Sequence, residues 1–259
     1  MTKEDQPLTG KGIVVTRPAH QSAHLAGLIA AVGGTPILFP TIEIAEIEDK
    51  RPLNALIARL DEFDFAIFVS PNAVTMAMTL IKGQRELQAQ LRLATIGSGG
   101  VRELEKHGFS DVIAPSRFDS EALLDMPAMH DMAGRRVVIF RGQGGRGLLG
   151  ETLTARGAKV DYAECYQRRV PKVRAGVLKE ARERDELHAV TATSSEGLRN
   201  LFAMVGSSGW SWLRKTPFFV PHPRIASAVR GFDVVDVVQT GQGDEELVRG
   251  LVSWHALHC

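Results

Sequence analysis

Two parts of the sequence resemble each other when one is shifted by 124 residues, which aligns Ile13 with Val137. At each matched place a short apolar segment leads directly into a helical pattern. Three joins match in this way: 13–17 with 137–141, 68–70 with 192–194 and, at one residue more, Gly97 with His222. Such joins in one order are hard to produce by chance, so the repeat predicts two similar α/β units.

The apolar segments are typical of strands in parallel sheets. Segments such as 65–69 and 136–140 are rich in Val, Ile and Phe and lack polar alternation, which indicates burial on both faces. The same pattern predicts strands over 35–44 and 233–238. It also predicts a helix over 19–32 with Ala23, Ala26, Ile29 and Ala30 on its apolar side. Strands that alternate with helices favour an α/β fold with parallel sheets.

Composition excludes several classes of protein. At 44% hydrophobic residues the chain is too apolar for disorder, and a net charge of +1 gives no basic face for nucleic acid. Cys165 and Cys259 match no disulfide or zinc-binding pattern. The polar start lacks the apolar segment of a signal peptide, and we find no apolar run that could span a bilayer. We therefore expect a cytoplasmic protein that binds neither membrane nor metal.

Candidate ligand-binding residues follow the strands, because the carboxyl ends of parallel strands lead into helix N-termini that attract anions. The first copy of the repeat offers Thr16, Arg17, Pro18, Ser70, Pro71, Asn72, Gly97, Ser98, Gly99 and Gly100. The second copy offers Arg141, Gly142, Ser194, Ser195, Glu196, His222, Pro223 and Arg224. For each serine taken alone, plain helix capping is the favoured explanation.

A glycine-rich loop at Gly142, Gly144 and Gly147 supports an alternative function. It follows a strand and enters a helix, as in NAD(P)-binding enzymes. However, Arg141 and Arg146 in the same loop are more typical of a site for an anionic ligand. A non-catalytic, two-lobed small-molecule binding protein is a second alternative.

Two further features have a structural and a functional interpretation. His20 and His24 are four residues apart, a spacing that can ligate a metal, but no third ligand stands in register, so exposed histidines are favoured. Tyr166 is one of two tyrosines and ends a long predicted strand over 159–166. Spacing alone favours a half-buried strand residue over a proton donor.

A string of motifs along the whole chain resembles the uroporphyrinogen-III synthase family. No single motif is specific, and the order and spacing of the set carry the resemblance. The motifs are 15–18, 68–74, 94–97, 141–158, 164–166, 193–198 and 220–226.

The resemblance implies two flavodoxin-like parallel-sheet domains joined by a two-stranded linker, with the active site between them. One domain would be discontinuous, comprising residues 1–39 and 171–259, and the other would comprise residues 40–170. The two linker strands would lie near 39–44 and 164–171. The repeat also relates these two segments, since 40 plus 124 gives 164. We expect a monomer.

The resemblance also implies a reaction. The family removes water from hydroxymethylbilane and closes it, with inversion of the last ring, to uroporphyrinogen III in heme biosynthesis, without a metal or organic cofactor. Tyr166 matches the family's active-site tyrosine and would assist departure of the hydroxyl, and Arg146 joins the candidate substrate-binding residues. At three positions the sequence departs from residues common in the family: His222, Ile225 and Gly100, where glycine, threonine and threonine are usual.

Overall fold

The computed structural model describes residues 6–116, 119–145, 147–174 and 176–258. The chain divides into two compact units. Unit 1 comprises Met1–Glu43 and Arg169–Cys259, and unit 2 comprises Ile44–Arg168. Unit 1 is therefore built from both ends of the sequence, whereas unit 2 is continuous.

Strands and helices alternate along the chain. The strands are β1 (Gly12–Val15), β2 (Thr35–Leu38), β3 (Glu43–Ala45), β4 (Phe65–Phe68), β5 (Arg92–Thr95), β6 (Val112–Ile113), β7 (Arg136–Gly142), β8 (Lys159–Arg169), β9 (Ala189–Thr191), β10 (Phe218–Val220) and β11 (Val237–Gln239). The helices are α1 (Ala23–Ala31), α2 (Arg51–Ala58), α3 (Pro71–Lys82), α4 (Ser98–Lys106), α5 (Ser120–Leu124), α6 (Leu148–Ala155), α7 (Gly176–Glu183), α8 (Ser195–Val205), α9 (Ser207–Leu213), α10 (Pro223–Arg230) and α11 (Asp244–His258). No helix in the described ranges is long and apolar enough to cross a bilayer.

Both units contain a parallel sheet, and the two strand orders are related by a circular permutation. Unit 1 has the order β11-β10-β9-β1-β2, and its strand pairs are parallel. Unit 2 has the order β3-β8-β7-β4-β5-β6, with parallel pairing from β8 to β6. Adding 124 to the bounds of β1 gives the start of β7 at Arg136. Numbered along the chain, the strands of unit 1 have the flavodoxin-like order 2-1-3-4-5. The strands of unit 2 have this order when β7 is counted as the first strand, so the order of unit 2 is circularly permuted along the chain. The predicted α/β class and the repeat are confirmed.

In both units the sheet is buried on its two faces. Val14 of β1 belongs to one apolar cluster and its neighbours Ile13 and Val15 belong to another. In unit 2, Phe68 and Phe65 of β4 likewise face different clusters. Because successive side chains of a strand point to opposite faces, helices must cover both sides, which explains the continuous apolar runs in the sequence.

Three predicted elements have different bounds. The predicted strand over 35–44 ends at Leu38, and β3 begins at Glu43 and pairs in the sheet of unit 2. The predicted helix over 19–32 is divided at Ser22, before α1. The predicted strand over 233–238 starts only at Val237, and Asp233 cannot belong to it because its φ is 58°.

Candidate active site

The carboxyl ends of adjacent strands gather the predicted residues into one group in each unit. In unit 1 the adjacent strands β1, β9 and β10 lead to Thr16-Arg17-Pro18, Ser194-Ser195-Glu196 and His222-Pro223-Arg224. In unit 2 the adjacent strands β7, β4 and β5 lead to Arg141-Gly142, Ser70-Pro71-Asn72 and Gly97–Gly100. Each unit thus combines joins from both copies of the repeat, because β1 pairs with β9 and β4 pairs with β7.

Tyr166 forms the centre of a hydrogen-bonded group in unit 2. Its side chain is buried at 1% exposure, within the apolar cluster that lies on one face of the sheet. Tyr166 Oη lies 3.1 Å from Ser70 Oγ. Arg168 Nη2 donates to the same oxygen at 3.4 Å, and the guanidinium lies 5.7 Å from the ring centre. The phenol is therefore a core residue with a polar tip, and the structural and functional interpretations of Tyr166 are compatible.

Gly142 creates the space that the Tyr166 ring occupies. The two residues are opposite one another on β7 and β8, just beyond an irregularity in the pairing after Arg141. A Cβ on Gly142 would lie 2.6 Å from Cε2 of the ring, closer than carbon atoms can pack. The first glycine of the glycine-rich loop thus makes room for the tyrosine ring.

The serines after β4 and β9 are helix caps. Ser70 Oγ accepts a hydrogen bond from Ala73 N at 3.0 Å, and Ser194 Oγ accepts one from Gly197 N at 2.9 Å. Both serines have extended backbone and are the N-caps of α3 and α8. Capping is thus observed at both positions, and the partly exposed hydroxyls can also take part in a site.

The join after β5 is shaped by Thr95. Its buried hydroxyl donates to Phe68 O at 2.9 Å, which ties β5 to β4. A Cβ on Gly100 would overlap Thr95 Oγ1. The glycine at position 100 is therefore matched to Thr95, while Ser98 and Gly99 in the first turn of α4 are partly exposed.

In unit 1 the arginine after β1 is already paired. Arg17 forms an ion pair with Asp244, the first residue of α11. The same carboxylate lies 2.9 Å from His24 Nδ1. An anionic ligand would therefore have to compete with Asp244 for the Arg17 guanidinium.

Thr16 directs its hydroxyl into the protein. Its side chain is 5% exposed and Oγ1 donates to Thr191 O at 2.8 Å. Thr191 returns a bond to Val14 O, and Thr41 donates to Thr16 O at 3.0 Å. These bonds join strand ends, so Thr16 would offer a ligand only its backbone.

The join after β10 replaces the usual family residues with a cap and a core side chain. His222 Nδ1 accepts a hydrogen bond from Arg224 N at 3.1 Å. Ile225 is 4% exposed and packs in the core of unit 1. His222, Pro223 and Arg224 are exposed.

The glycine-rich loop does not resemble a nucleotide cradle. The Arg141 guanidinium lies 4.6 Å from the Tyr162 ring centre and 3.7 Å from a Glu164 oxygen. A Cβ on Gly147 would overlap the Glu151 carboxylate, so an acidic group lies at the start of α6, where a pyrophosphate would bind. Arg146 lies outside the described residues.

His20 and His24 are exposed, as predicted, and His24 shares the Asp244 carboxylate with Arg17. Among the described residues, no three His, Cys, Asp or Glu side chains are grouped so that they could hold a metal ion.

Two residues of these groups were not among the predicted ones. Arg168 follows Tyr166 by two positions on β8, and residues two apart in a strand share a face, so the alternation of the strand could have indicated it. Asp244 is far from Arg17 in sequence, and we find no local signal that links them. Beside Tyr166, burial raises the pKa of the Cys165 thiol to about 12, which makes it an inert core residue.

The chain is similar to named proteins along nearly its whole length. The family model described as uroporphyrinogen-III synthase HemD matches residues 23–248. The uroporphyrinogen-III synthase of Salmonella typhimurium is 33% identical over 246 residues, covering 92% of this chain and 99% of the relative. That of Escherichia coli is 31% identical over 245 residues, with coverage of 92% and 99%.

Two solved structures have the same fold as this chain. A uroporphyrinogen III synthase structure from Thermus thermophilus matches 96% of this chain and 100% of its own, with a TM-score of 0.65 at 18% identity. A uroporphyrinogen-III synthetase structure from Helicobacter pylori covers 94% of this chain and 99% of its own, with a TM-score of 0.60 at 12% identity. The solved structures show the shared fold, and the family model and the two relatives show that the chain belongs to the uroporphyrinogen-III synthase family.

Proposed function

We propose that this chain is a cyclising lyase of heme biosynthesis that dehydrates hydroxymethylbilane and closes it, with inversion of the last ring, to uroporphyrinogen III. Family membership over residues 23–248 supports this function over the NAD(P)-dependent alternative. The acidic group at the start of α6 and the contact of Gly142 with Tyr166 also speak against a dinucleotide at the glycine-rich loop.

Substrate binding would rely on local groups. Hydroxymethylbilane carries many carboxylates, and the chain has a net charge of only +1. The first turns of α3, α4, α8 and α10 all follow strand carboxyl ends, where backbone N–H groups and the helix dipole attract anions. Arg224 is exposed and can pair with a carboxylate, whereas Arg17 would have to exchange Asp244 for one.

The chemical step needs a proton donor and a fixed geometry. Loss of the substrate hydroxyl as water requires a proton, and an ordinary phenol is protonated near neutral pH. Tyr166 is proposed as the source of that proton. Ring closure then occurs at a substituted pyrrole carbon, and the resulting spiro intermediate reopens and recloses with the ring reversed. Holding the flexible chain so that one closure wins would supply much of the rate.

One observation carries the proposal for unit 2. Tyr166 Oη is held by Ser70 at 3.1 Å and by Arg168 at 3.4 Å, where β8 and β4 end beside the start of α3. A hydroxyl that is fixed at a strand carboxyl end, next to a helix N-terminus, suits an acid that acts on an anionic substrate.

The test is an isomer assay. Purified protein is given hydroxymethylbilane, and the uroporphyrinogens are oxidised and separated into types I and III. We expect mainly type III, whereas buffer alone gives type I. An isomer ratio equal to that of buffer would reject the proposed function, and tight binding without turnover would favour a two-lobed binding protein instead.

Four further properties are also proposals. The domains would comprise residues 1–39 with 171–259 and residues 40–170, close to the bounds of units 1 and 2. The protein would work as a monomer in the cytoplasm, without a cofactor. Light scattering of the purified protein, with and without substrate, tests the monomer.

A further inference from the structure

The hydrogen bonds of Tyr166 fix the direction in which its proton points. A buried hydroxyl proton needs an acceptor, because an unsatisfied one costs free energy. The recorded partners of Tyr166 Oη among the described residues are Arg168 Nη2 and Ser70 Oγ. A guanidinium is only a donor, so the phenol must donate to Ser70.

The donors and acceptors at Ser70 Oγ can be assigned in the same way. A serine oxygen has two lone pairs, and here one accepts from Ala73 N at 3.0 Å and the other accepts from Tyr166 at 3.1 Å. The hydroxyl proton of Ser70 is then the one that remains available for another molecule. Ser70 is partly exposed, whereas Tyr166 is 1% exposed. The group that can touch a ligand is therefore the serine.

On the basis of the proposed function, we infer that Ser70 delivers the proton to the departing hydroxyl and that Tyr166 replaces it. The substrate C–O bond breaks with both electrons going to oxygen, and the lone pair of the pyrrole nitrogen stabilises the cation that forms. The Ser70 proton completes the water molecule, and the Tyr166 proton moves to Ser70. The phenolate lies beside the Arg168 guanidinium. When the ring closes, the proton released from the terminal pyrrole carbon returns through Ser70 to Tyr166, so the protons balance.

The inference is tested by separating the hydroxyl of Ser70 from its capping role. Ser70→Asn keeps an acceptor for Ala73 N, since asparagine is a good cap, but it has no hydroxyl proton to give. Ser70→Thr keeps both the acceptor for Ala73 N and the hydroxyl proton. We expect kcat for type III product to fall ~10- to 100-fold in Ser70→Asn and to stay within about threefold in Ser70→Thr. Melting temperatures of all variants report whether the cap is kept.

A double-variant cycle distinguishes a relay from two independent effects. Tyr166→Phe should lower kcat as much as Ser70→Asn, and the double variant should be no slower than either single variant, because both interrupt one path. Asp119→Asn changes a helix cap to asparagine outside the proposed site, at the start of α5, and should leave kcat unchanged.

The outcomes separate the two levels of proposal. Wild-type protein that yields no type III product rejects the proposed function itself. If the wild type is active and Ser70→Asn keeps its kcat while Tyr166→Phe loses it, the proton passes directly from Tyr166 and the inference is wrong. Multiplicative losses in the double variant would also overturn it. If Ser70→Asn fails to fold, an unimpaired Tyr166→Phe would equally refute the relay.

Discussion

Gly142 sets the position of Tyr166, since its missing side chain is the room that the ring fills. We expect Gly142→Ala to lower the free energy of unfolding by about 1–3 kcal/mol, because the new methyl group forces the ring or the strand to move. It should also lower type III activity at least ~10-fold, because Tyr166 Oη would leave Ser70. Urea denaturation and the isomer assay measure the two effects.

Gly145→Ala is the matched control in the same loop. Its Cβ would lie 3.4 Å from the Arg141 guanidinium, an ordinary contact, so stability should change by less than about 0.5 kcal/mol. Equal losses in both variants would mean that the loop, and not the tyrosine, is sensitive to substitution.

At the level of residues, the sequence indicated positions better than roles. The motif string led to Tyr166, Ser70 and Gly142, which the fold brings together. Their mutual contacts depend on the pairing irregularity between β7 and β8, which the sequence does not display. Arg17 illustrates the same limit, since its ion pair with Asp244 joins residues at opposite ends of the chain.

At the level of elements, strands were predicted well and the first helix less so. Of the predicted apolar face, Ile29 is buried as expected, but α1 also buries Leu25, and it exposes Ala23 and Ala30. Alanines fit either side of a helix, so their spacing does not decide which face is buried. Ser22 Oγ donates to Pro18 O at 3.0 Å and separates the first turn from α1, a local bond without a periodic signature.

Gly27 weakens α1 without a compensating contact. It lies in the middle of the helix, and no neighbouring atom would lie within 4 Å of a Cβ there. We therefore expect Gly27→Ala to raise the free energy of unfolding by about 0.5–1 kcal/mol, from helix propensity alone. Chemical denaturation of the two proteins measures the difference.

The control is Gly108→Ala, which also has open space around it but has a φ of +92°. This substitution should destabilise the protein, because an L side chain is strained there. Stabilisation by both alanines would show that the unfolded state, and not α1, sets the effect.

At the level of the whole molecule, each unit has its own core. The clusters around Phe68 and Phe65 contain residues of unit 2, and those around Val14 and Ile13 contain residues of unit 1. Because unit 2 is also continuous in sequence, we expect a fragment of residues 44–168 to fold alone.

Circular dichroism and a cooperative urea transition of the 44–168 fragment test this expectation. A fragment of residues 169–259, which lacks β1 and β2, is the matched control and should not fold cooperatively. A non-cooperative transition of the 44–168 fragment would contradict independent folding of unit 2.

His255 makes global stability depend on pH. It is 4% exposed, its Nε2 has no hydrogen-bond partner among the described residues, and burial lowers its pKa to about 4, with Lys11, His188 and His258 adding to the effect. Between pH 6.5 and 4 the unfolded chain binds a proton that the folded protein excludes, so stability falls as pH falls through this range. The contribution is up to about 3 kcal/mol.

His255→Leu should flatten this part of the stability–pH profile, as measured by urea denaturation at several pH values. Substitution of the exposed His130 by Gln should leave the profile unchanged. An equal slope in wild type and His255→Leu would assign the acid sensitivity to other groups.

The circularly permuted strand order has a consequence for synthesis on the ribosome. Unit 2 is complete once Arg168 has emerged, so its sheet can close while translation continues. β1 and β2 cannot complete their sheet until β9 has been synthesised and pairs with β1, so their apolar faces stay uncovered until then. The earliest residues made are thus among the last to become native, and slow elongation after residue 168 would lengthen the time in which they are open to chaperones or to aggregation.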